Sequence, residues 1–381
     1  MSSAPAITRL NLTDFRSYAA LDLTVNGRVI VLTGENGAGK TNVLEALSLL
    51  TQGRGMRRVD PAECVRSNGA GGWAISAALW RDDFETQLGT GLEPPDAQGI
   101  RARRFRIDRA PVPSVRAFAD HLRIVWLTPA MDGLFTGPPN ERRRFLDRLV
   151  LAVDAGHGTR VNALERALRN RNRLLEEGGR ERAWLDACER ELAEIALAVA
   201  AARCETVRKL QQLMDANHDA TSPFPWAELT LDGWLERQLP ETSALALEDL
   251  YVAALRDNRG RDSAAGRTLL GPHTSDLIVH HGPKAIAAAK ASTGEQKALL
   301  TGLVLAHARL VGELSGLPPL LLLDEIAAHF DPIRRQALFE QVLAMSSQVW
   351  LTGANAQDFA GLANRASIYS VEGGQIRPLP E

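Results

Sequence analysis

Three cysteines, Cys64, Cys188 and Cys204, are all that the 381 residues contain. They form no C-x-x-C pair and no zinc spacing, so a disulfide framework and a zinc module are both excluded. The thiols read instead as small hydrophobes in a reducing compartment, which implies the cytoplasm. Charge imbalance is missing too: 44 basic against 46 acidic residues leave a formal net charge of −2. No global pull on a polyanion follows from that balance, and any nucleic-acid surface has to be local. Aromatics make up 5% of the chain, and no series of them interleaved with basic residues forms a stacking platform for unpaired bases. No apolar run approaches the roughly 18 to 20 residues of a membrane span. The opening "MSSAPAITRLNLTDF" lacks the basic and then apolar pattern of an export signal, so a soluble, unexported protein is expected. Internal repeats are not visible.

What is present has the length for two ordinary domains. "AITRLNLTDF" and "LDLTVN" read as paired strands, and "RVIVLT" as a third that runs into a glycine turn. Behind that turn Val43, Leu44, Leu47 and Leu50 make one apolar stripe of a helix beginning at Lys40. Between 72 and 127 the segments "WAISAALW", "FETQLGTGL", "RRFRIDR" and "LRIVWLT" predict a layer of short strands. From Asn140 to about His218 the composition is helical, broken at "DAGHG" and "EEGGR", which predicts a short helix and then a hairpin of two longer ones. The pattern of that hairpin is too brief for a long coiled coil. Beyond "SPFPW" come a strand in "AELTLDGW" and a helix around "ALEDLYVAALRDN".

Gly34, Glu35, Asn36, Gly37, Ala38, Gly39, Lys40 and Thr41 match G-x-x-x-x-G-K-[ST] between a predicted strand and a predicted helix. Such glycines let backbone N–H groups wrap phosphates; Lys40 would reach the β and γ oxygens of ATP, and the Thr41 hydroxyl would face Mg²⁺. "PLLLLDE", 319 to 325, is the pattern of a strand buried on both faces. In that setting Asp324 would hold Mg²⁺ and Glu325 would orient or deprotonate the attacking water, making Lys40, Asp324 and Glu325 the catalytic candidates.

A second glycine turn, "ASTGEQK" at 291 to 297, opens a helix with Leu299, Leu300, Leu303, Val304, His307 and Leu310 on one face. Ser292 or Thr293 could simply cap that helix. Ser292 and Gly294, with Gln296 grouped beside them, could instead face an anion. One phosphate loop leaves the far side of the γ-phosphate open, so a second copy of the chain closing it with this turn would sandwich two ATP molecules in a two-fold homodimer.

In this order the phosphate loop, "ASTGEQK", "LLLLDE" and "AHFD" ending at Asp331 resemble the ABC-type ATPases of the SMC and Rad50 class, with an ABC signature at the second turn and a D-loop at the last. Within that class "ITRLNLTDFRSY", "LTPAMDGLFTGPPNERRRFLDRLV" and "GPHTSDL" are similar to the RecF family, nearly end to end. The resemblance implies an α/β fold, an ABC-type ATPase head interrupted by a mainly helical lobe: 1–128 and 266–381 as head, 129–265 as arm. It implies dimerisation on ATP, binding to gapped or duplex DNA, and loading of RecA with RecO and RecR. Asp331 and Arg16 of "DFRSY" are then candidate nucleotide contacts, although Arg16 reads equally well as a solvated turn residue. Two family positions depart. Ala130 stands where a Q-loop glutamine is expected and Gly353 about where a switch histidine is, with Thr352 as a weak substitute. Both departures fit a slow ATPase. His273 has no metal partner at motif spacing and reads as a structural hydrogen-bonding residue.

For DNA, "RARRFRIDR" alternates so that Arg104 and Arg106 oppose Phe105 and Ile107, giving a strand with a basic face. "RGMRR" at 54–58 and "ALRNRNR" at 167–173 add further arginines, unless these pair with Glu165, Glu176, Glu177 or Asp108. Backbone contacts to duplex with little sequence preference are expected. A transporter ATPase subunit or another SMC-like DNA-structural protein are the alternatives. The first would keep its signature nearer the phosphate loop, and the second calls for far longer heptad arrays.

Overall fold

Four leucines, Leu320–Leu323, form a strand in which no side chain is exposed. Parallel partners on both edges, Ile124–Leu127 and Val349–Gly353, together with packing on both faces, bury it completely. Each such leucine contributes on the order of 2 kcal/mol of burial. The chain is known from a computed structural model that describes residues 4–178, 182–219, 222–327 and 330–379.

The described residues divide into two units. The first comprises Met1–Asp132, Asp219–Pro225 and Thr293–Glu381, the second Gly133–His218 and Trp226–Ser292. The first unit gives way to the second after Asp132, where 128/129 was expected. The expected return at 266 is not found, because Asp276–His281 pairs antiparallel with Ala227–Asp232 and so stays with the second unit through Ser292.

The first unit holds two six-stranded sheets among the described residues. One is antiparallel, in the order Tyr18–Thr24, Ala6–Phe15, Trp73–Arg81, Phe84–Leu92, Arg103–Ile107, Ala110–Val112. The other runs Gln375–Pro378, Ser367–Glu372, Val29–Thr33, Val349–Gly353, Leu320–Leu323, Ile124–Leu127, parallel except at its first pair. Ile124–Leu127 therefore departs from expectation: it belongs to the parallel sheet and not to the layer of short strands before it. Its four residues are all buried, as a strand in the core sheet requires. One core joins both sheets to the helix Lys40–Ser48, through Leu12 and Phe15, Ile30 and Leu32, and Leu44 and Leu47. The helix Thr293–Ser315 is long and apolar enough to cross a membrane by length and composition, yet 61% of that stretch is buried inside the protein.

The second unit carries the helices Pro139–Val153, His157–Glu176 and Arg182–Ala216, the predicted short helix and hairpin. Leu164, Leu168, Leu192, Ala196 and Val199 close its core with Leu247, Tyr251 and Leu255 of Ala244–Asp257. Inside this unit Arg171 is fully buried, donating to Glu189 at 3.0 Å, to Asp262 at 2.7 Å, to Thr268 Oγ1 and to Leu255 O. The "GPHTSD" turn is clasped there by Arg203 on Pro272 O and by Arg142 on Asp276, while His273 meets Thr268 O through Nε2 at 2.9 Å, a structural role as expected. Cys64 is buried as anticipated and its thiol is pushed up to about 11 by that burial, whereas Cys188 and Cys204 are only half-buried.

Candidate functional site

Register brings the chemistry together. Leu323 pairs with Leu351 and Gly353 with Thr33, so Asp324, Thr352 and the start of the phosphate loop emerge at one level, at the carboxyl ends of parallel strands. Open α/β sheets put ligands at that edge. Gly34 has φ +146°, and a Cβ there would stand 2.3 Å from Val371 O; Gly39 has φ +114°, and a Cβ would stand 2.8 Å from Tyr18 Oη. Only glycine fits either position. Glu35, Asn36 and Gly37 form an exposed crest, with Ala38 half-buried behind it.

Lys40 is 3% exposed and donates to Gly34 O at 2.7 Å and to Glu35 O at 2.9 Å, so its ammonium is held by the loop's own carbonyls. Burial lowers its pKa, against the raising influence of Glu325 and Asp324. Asp324 Oδ1 accepts two hydroxyls, Thr41 Oγ1 at 2.9 Å and Thr352 Oγ1 at 2.7 Å. Burial raises the Asp324 pKa although both hydroxyls favour the anion. The hydroxyl and carboxylate oxygens of Thr41 and Asp324 are hard donors in contact, a pair that fits Mg²⁺.

Glu325 sits next, half-buried, with φ +52°, a left-handed backbone that costs a non-glycine residue about 1 to 2 kcal/mol. Thr352 steadies that turn, since its Oγ1 accepts from Glu325 N–H at 2.9 Å while donating to Asp324. A threonine at the strand end thus touches both acids. Gly353 explains why no longer side chain follows it: a Cβ would lie 2.5 Å from the Phe359 ring.

Several sequence candidates lie elsewhere. Arg16 is turned to Glu45, at 2.9 and 2.7 Å, and to Glu63 O at 2.8 Å, so its donors are engaged away from the phosphate loop. Glu45, 1% exposed on the loop helix, is the residue the sequence reading overlooked; lying off the apolar stripe, it gave no signal of its burial. Ser292, Thr293 and Gly294 are exposed at their helix start, and among the described residues beyond its own helix a Cβ at Gly294 would meet Arg334 Nη1, at 3.7 Å. Gln296 points inward, 8% exposed. Asp331 caps the helix Pro332–Ala344, accepting from Ile333 and Arg334 N–H at 3.0 Å each. The two residues before Phe330 in "AHFD" lie outside the described residues. Ala130 is exposed on the turn after Ile124–Leu127.

The basic strand alternates as expected, Arg104 and Arg106 exposed and Phe105 packed on the core. Its outer side borders a groove of about 520 Å³ floored by Ala74, Ser76, Gly89 and Gly91 and edged by Arg104, Arg106 and Arg109. Arg104 pairs with Glu93 at 3.0 Å, a partner the sequence did not suggest. Arg171 is wholly buried and so is no surface cation, whereas Arg57 stays exposed with one nitrogen on Glu45 at 3.0 Å.

Residues 9–91 match the AAA domain family. Among curated relatives, DNA replication and repair protein RecF of Mesorhizobium japonicum is 50% identical over 378 residues, 99% of each chain. RecF of Rhizobium leguminosarum bv. trifolii is 51% identical over 371 residues, 97% of this chain and 98% of that one. Among solved structures, one described as the recombination mediator protein RecF-ATPrS in the RecFOR pathway superposes with a TM-score of 0.86 at 20% identity, covering 100% of this chain and 99% of that one. A Pyrococcus furiosus Smc head domain bound to part of ScpA gives a TM-score of 0.52 at 15% identity over 98% of this chain and 96% of that one. The fold is thus that of an ABC-type ATPase head, and the chain belongs to the RecF family of DNA replication and repair proteins.

Proposed function

We propose that this protein is a slow ATPase that dimerises on ATP, holds gapped or duplex DNA while ATP persists, and lets go on hydrolysis. Lys40 and the loop N–H groups bind the triphosphate, Thr41 and Asp324 hold Mg²⁺, and Glu325 orients the attacking water. The ion supplies charge neutralisation at the β and γ oxygens; the chain's own part is to fix those oxygens' neighbours before they arrive. The observation that carries this reading is the division of parts. Lys40, Asp324 and Thr352 are assembled, whereas Gly294 is exposed with no atom of the phosphate loop within 4 Å of where its Cβ would be. A signature so placed is available to the nucleotide of a second copy, an isologous arrangement in which each protomer completes the other's pocket. Asp331 and Ser292 then act in trans, and Arg16 contributes only by giving up Glu45. Work alongside RecO and RecR in loading RecA, as expected of a family with a structure described as a recombination mediator, follows as the role such a timed clamp serves.

Sedimentation with ATP, with ADP and without nucleotide, each with and without gapped DNA, tests the reading. Dimers should appear with ATP alone and persist in Glu325→Gln, while Ser292→Arg stays monomeric yet binds ATP. A Ser292→Arg protein that dimerises on ATP as the unaltered chain does would overturn it.

A further inference from the structure

Ile124–Leu127 runs beside Leu320–Leu323, and Asp324 N–H donates to Leu127 O at 2.9 Å. The turn that follows Leu127 therefore starts against the buried carboxylate. It exposes Pro129 and Ala130 and comes back at Asp132, whose carboxylate accepts from Lys297 Nζ at 2.9 Å. Lys297 lies in the first turns of Thr293–Ser315, just behind the exposed Ser292 and Gly294. A small pocket of about 10 Å³, whose lining includes Thr128, Asp132, Lys297, Thr301 and Asp324, brings the ion pair and the buried carboxylate to one space. That space admits about one water, so the inner side of the turn lies close against Thr301 and Asp324. Both side chains of the pair are partly shielded, 17% and 32% exposed, which sets it apart from a freely solvated surface bridge.

We propose that Asp132 and Lys297 are positioning residues that transmit occupancy of the nucleotide site to the signature helix of the same protomer. The inference rests on the trans reading above and adds to it the route by which one pocket readies the surface that completes the other. Ala130 offers a methyl group where a polar side chain would read the cation or the water, so the information has to leave by another contact. A shift of Asp324 on taking up Mg²⁺ passes through its backbone bond to Leu127, along the turn to Asp132, and across the ion pair to the helix that carries Gly294. Stiff, closely packed contacts of this kind carry coupling between sites.

The test compares the full chain with Asp132→Asn, Lys297→Gln, their combination, the exchange Asp132→Lys with Lys297→Asp, and Ser292→Arg. ATP affinity is read on monomers at low protein concentration, melting temperature reports folding, and dimerisation at saturating ATP is read by sedimentation. Each single variant should bind ATP within about twofold of the unaltered chain yet dimerise about tenfold more weakly, within the range of coupling between sites. The combined variant should be no worse than either single one, and the exchange should recover part of the loss, since the residues act as a unit. Single variants that dimerise normally, or losses that simply add, overturn the inference. Where Ser292→Arg stays monomeric while Asp132→Asn dimerises normally, the link alone fails. Should Ser292→Arg dimerise normally, the trans reading fails and the link falls with it.

Discussion

Arg171 in the second unit is wholly buried and its guanidinium is matched by Glu189, Asp262, Thr268 and a backbone carbonyl. Lys40 and Asp324 in the first unit are nearly as buried, 3% and 5% exposed, and among the described residues their side-chain hydrogen bonds go to neutral groups: two carbonyls for the one, two hydroxyls for the other. The scaffold pairs its charge by direct hydrogen bonds, whereas in the nucleotide site opposite charges act on Lys40 and Asp324 only across a distance, which leaves both able to meet a ligand of opposite sign directly. Both pKa directions follow from that difference, since burial pushes Lys40 down and Asp324 up, each toward its neutral form. A triphosphate facing Lys40 and a divalent ion facing Asp324 would reverse both shifts.

Removing the scaffold's cation is expected to have the largest effect. Arg171→Met strands Asp262 without its counter-charge in a dry interior, while Glu189 keeps Arg259, and should cost about 3 to 5 kcal/mol, visible in denaturant unfolding. A loss under about 1 kcal/mol would mean that the cluster is not self-compensating, and the contrast would collapse. In the site the expected loss is of rate and not of fold. Thr352→Val removes one donor to Asp324 and the acceptor for Glu325 N–H, so kcat should fall about 10- to 100-fold, the scale of losing an outer-shell partner, with KM nearly unchanged. Thr352→Ser, which keeps the hydroxyl, should turn over almost normally; equal damage from both variants would point to packing alone.

A smaller effect sharpens the same contrast through pH. Because the folded Asp324 pKa lies above its unfolded value, this carboxyl favours the folded state fully below the unfolded carboxylate pKa of about 3.9 and loses that contribution as pH rises through the raised value. Metal-free protein should accordingly gain about 0.5 to 2 kcal/mol from Asp324→Asn at neutral pH, with turnover abolished. Melts at pH 3.5, below the unfolded carboxylate value, and at pH 8, both without Mg²⁺, check the sign: the gain should be larger at pH 8. Equal gains at both values would place the cost of Asp324 in something other than its charge.

The phosphate loop, the leucine strand and the helix behind Lys40 were legible because each is a local pattern whose reading needs no neighbour. The role of Thr352 was only half legible, since a threonine at a strand end means little until register sets it against Asp324. Arg16 misled for a related reason. Its partner Glu45 is 29 residues away and reads, in sequence, as one more polar position on a helix. The second boundary was missed because "GPHTSDL" sits beside the signature in sequence, while antiparallel pairing with Ala227–Asp232 binds the strand after it to the other unit. Local composition reports burial well; which charge meets which is decided by long-range pairing.

The smallest expected effect concerns the surface, where neither kind of burial applies. Arg104 and Arg106 stand two residues apart on one strand and edge the same groove, but Arg104 already has Glu93 at 3.0 Å. An exposed pair of this kind is worth about 0 to 1 kcal/mol and is screened by salt, so a phosphate can displace Glu93 at little cost. Each arginine that contacts a phosphate should contribute about 0.9 to the slope of log affinity against log salt for duplex DNA. Arg106→Ala should therefore flatten that slope by about 0.9, and Arg104→Ala by less, because freeing Glu93 returns a negative charge to the groove. Glu93→Gln supplies the complementary arm: it should tighten binding slightly at low salt and leave the number of phosphate contacts, hence the slope, nearly unaltered. If Arg106→Ala leaves the slope where it was, DNA does not run along this strand, and the basic face is a solvated surface like any other.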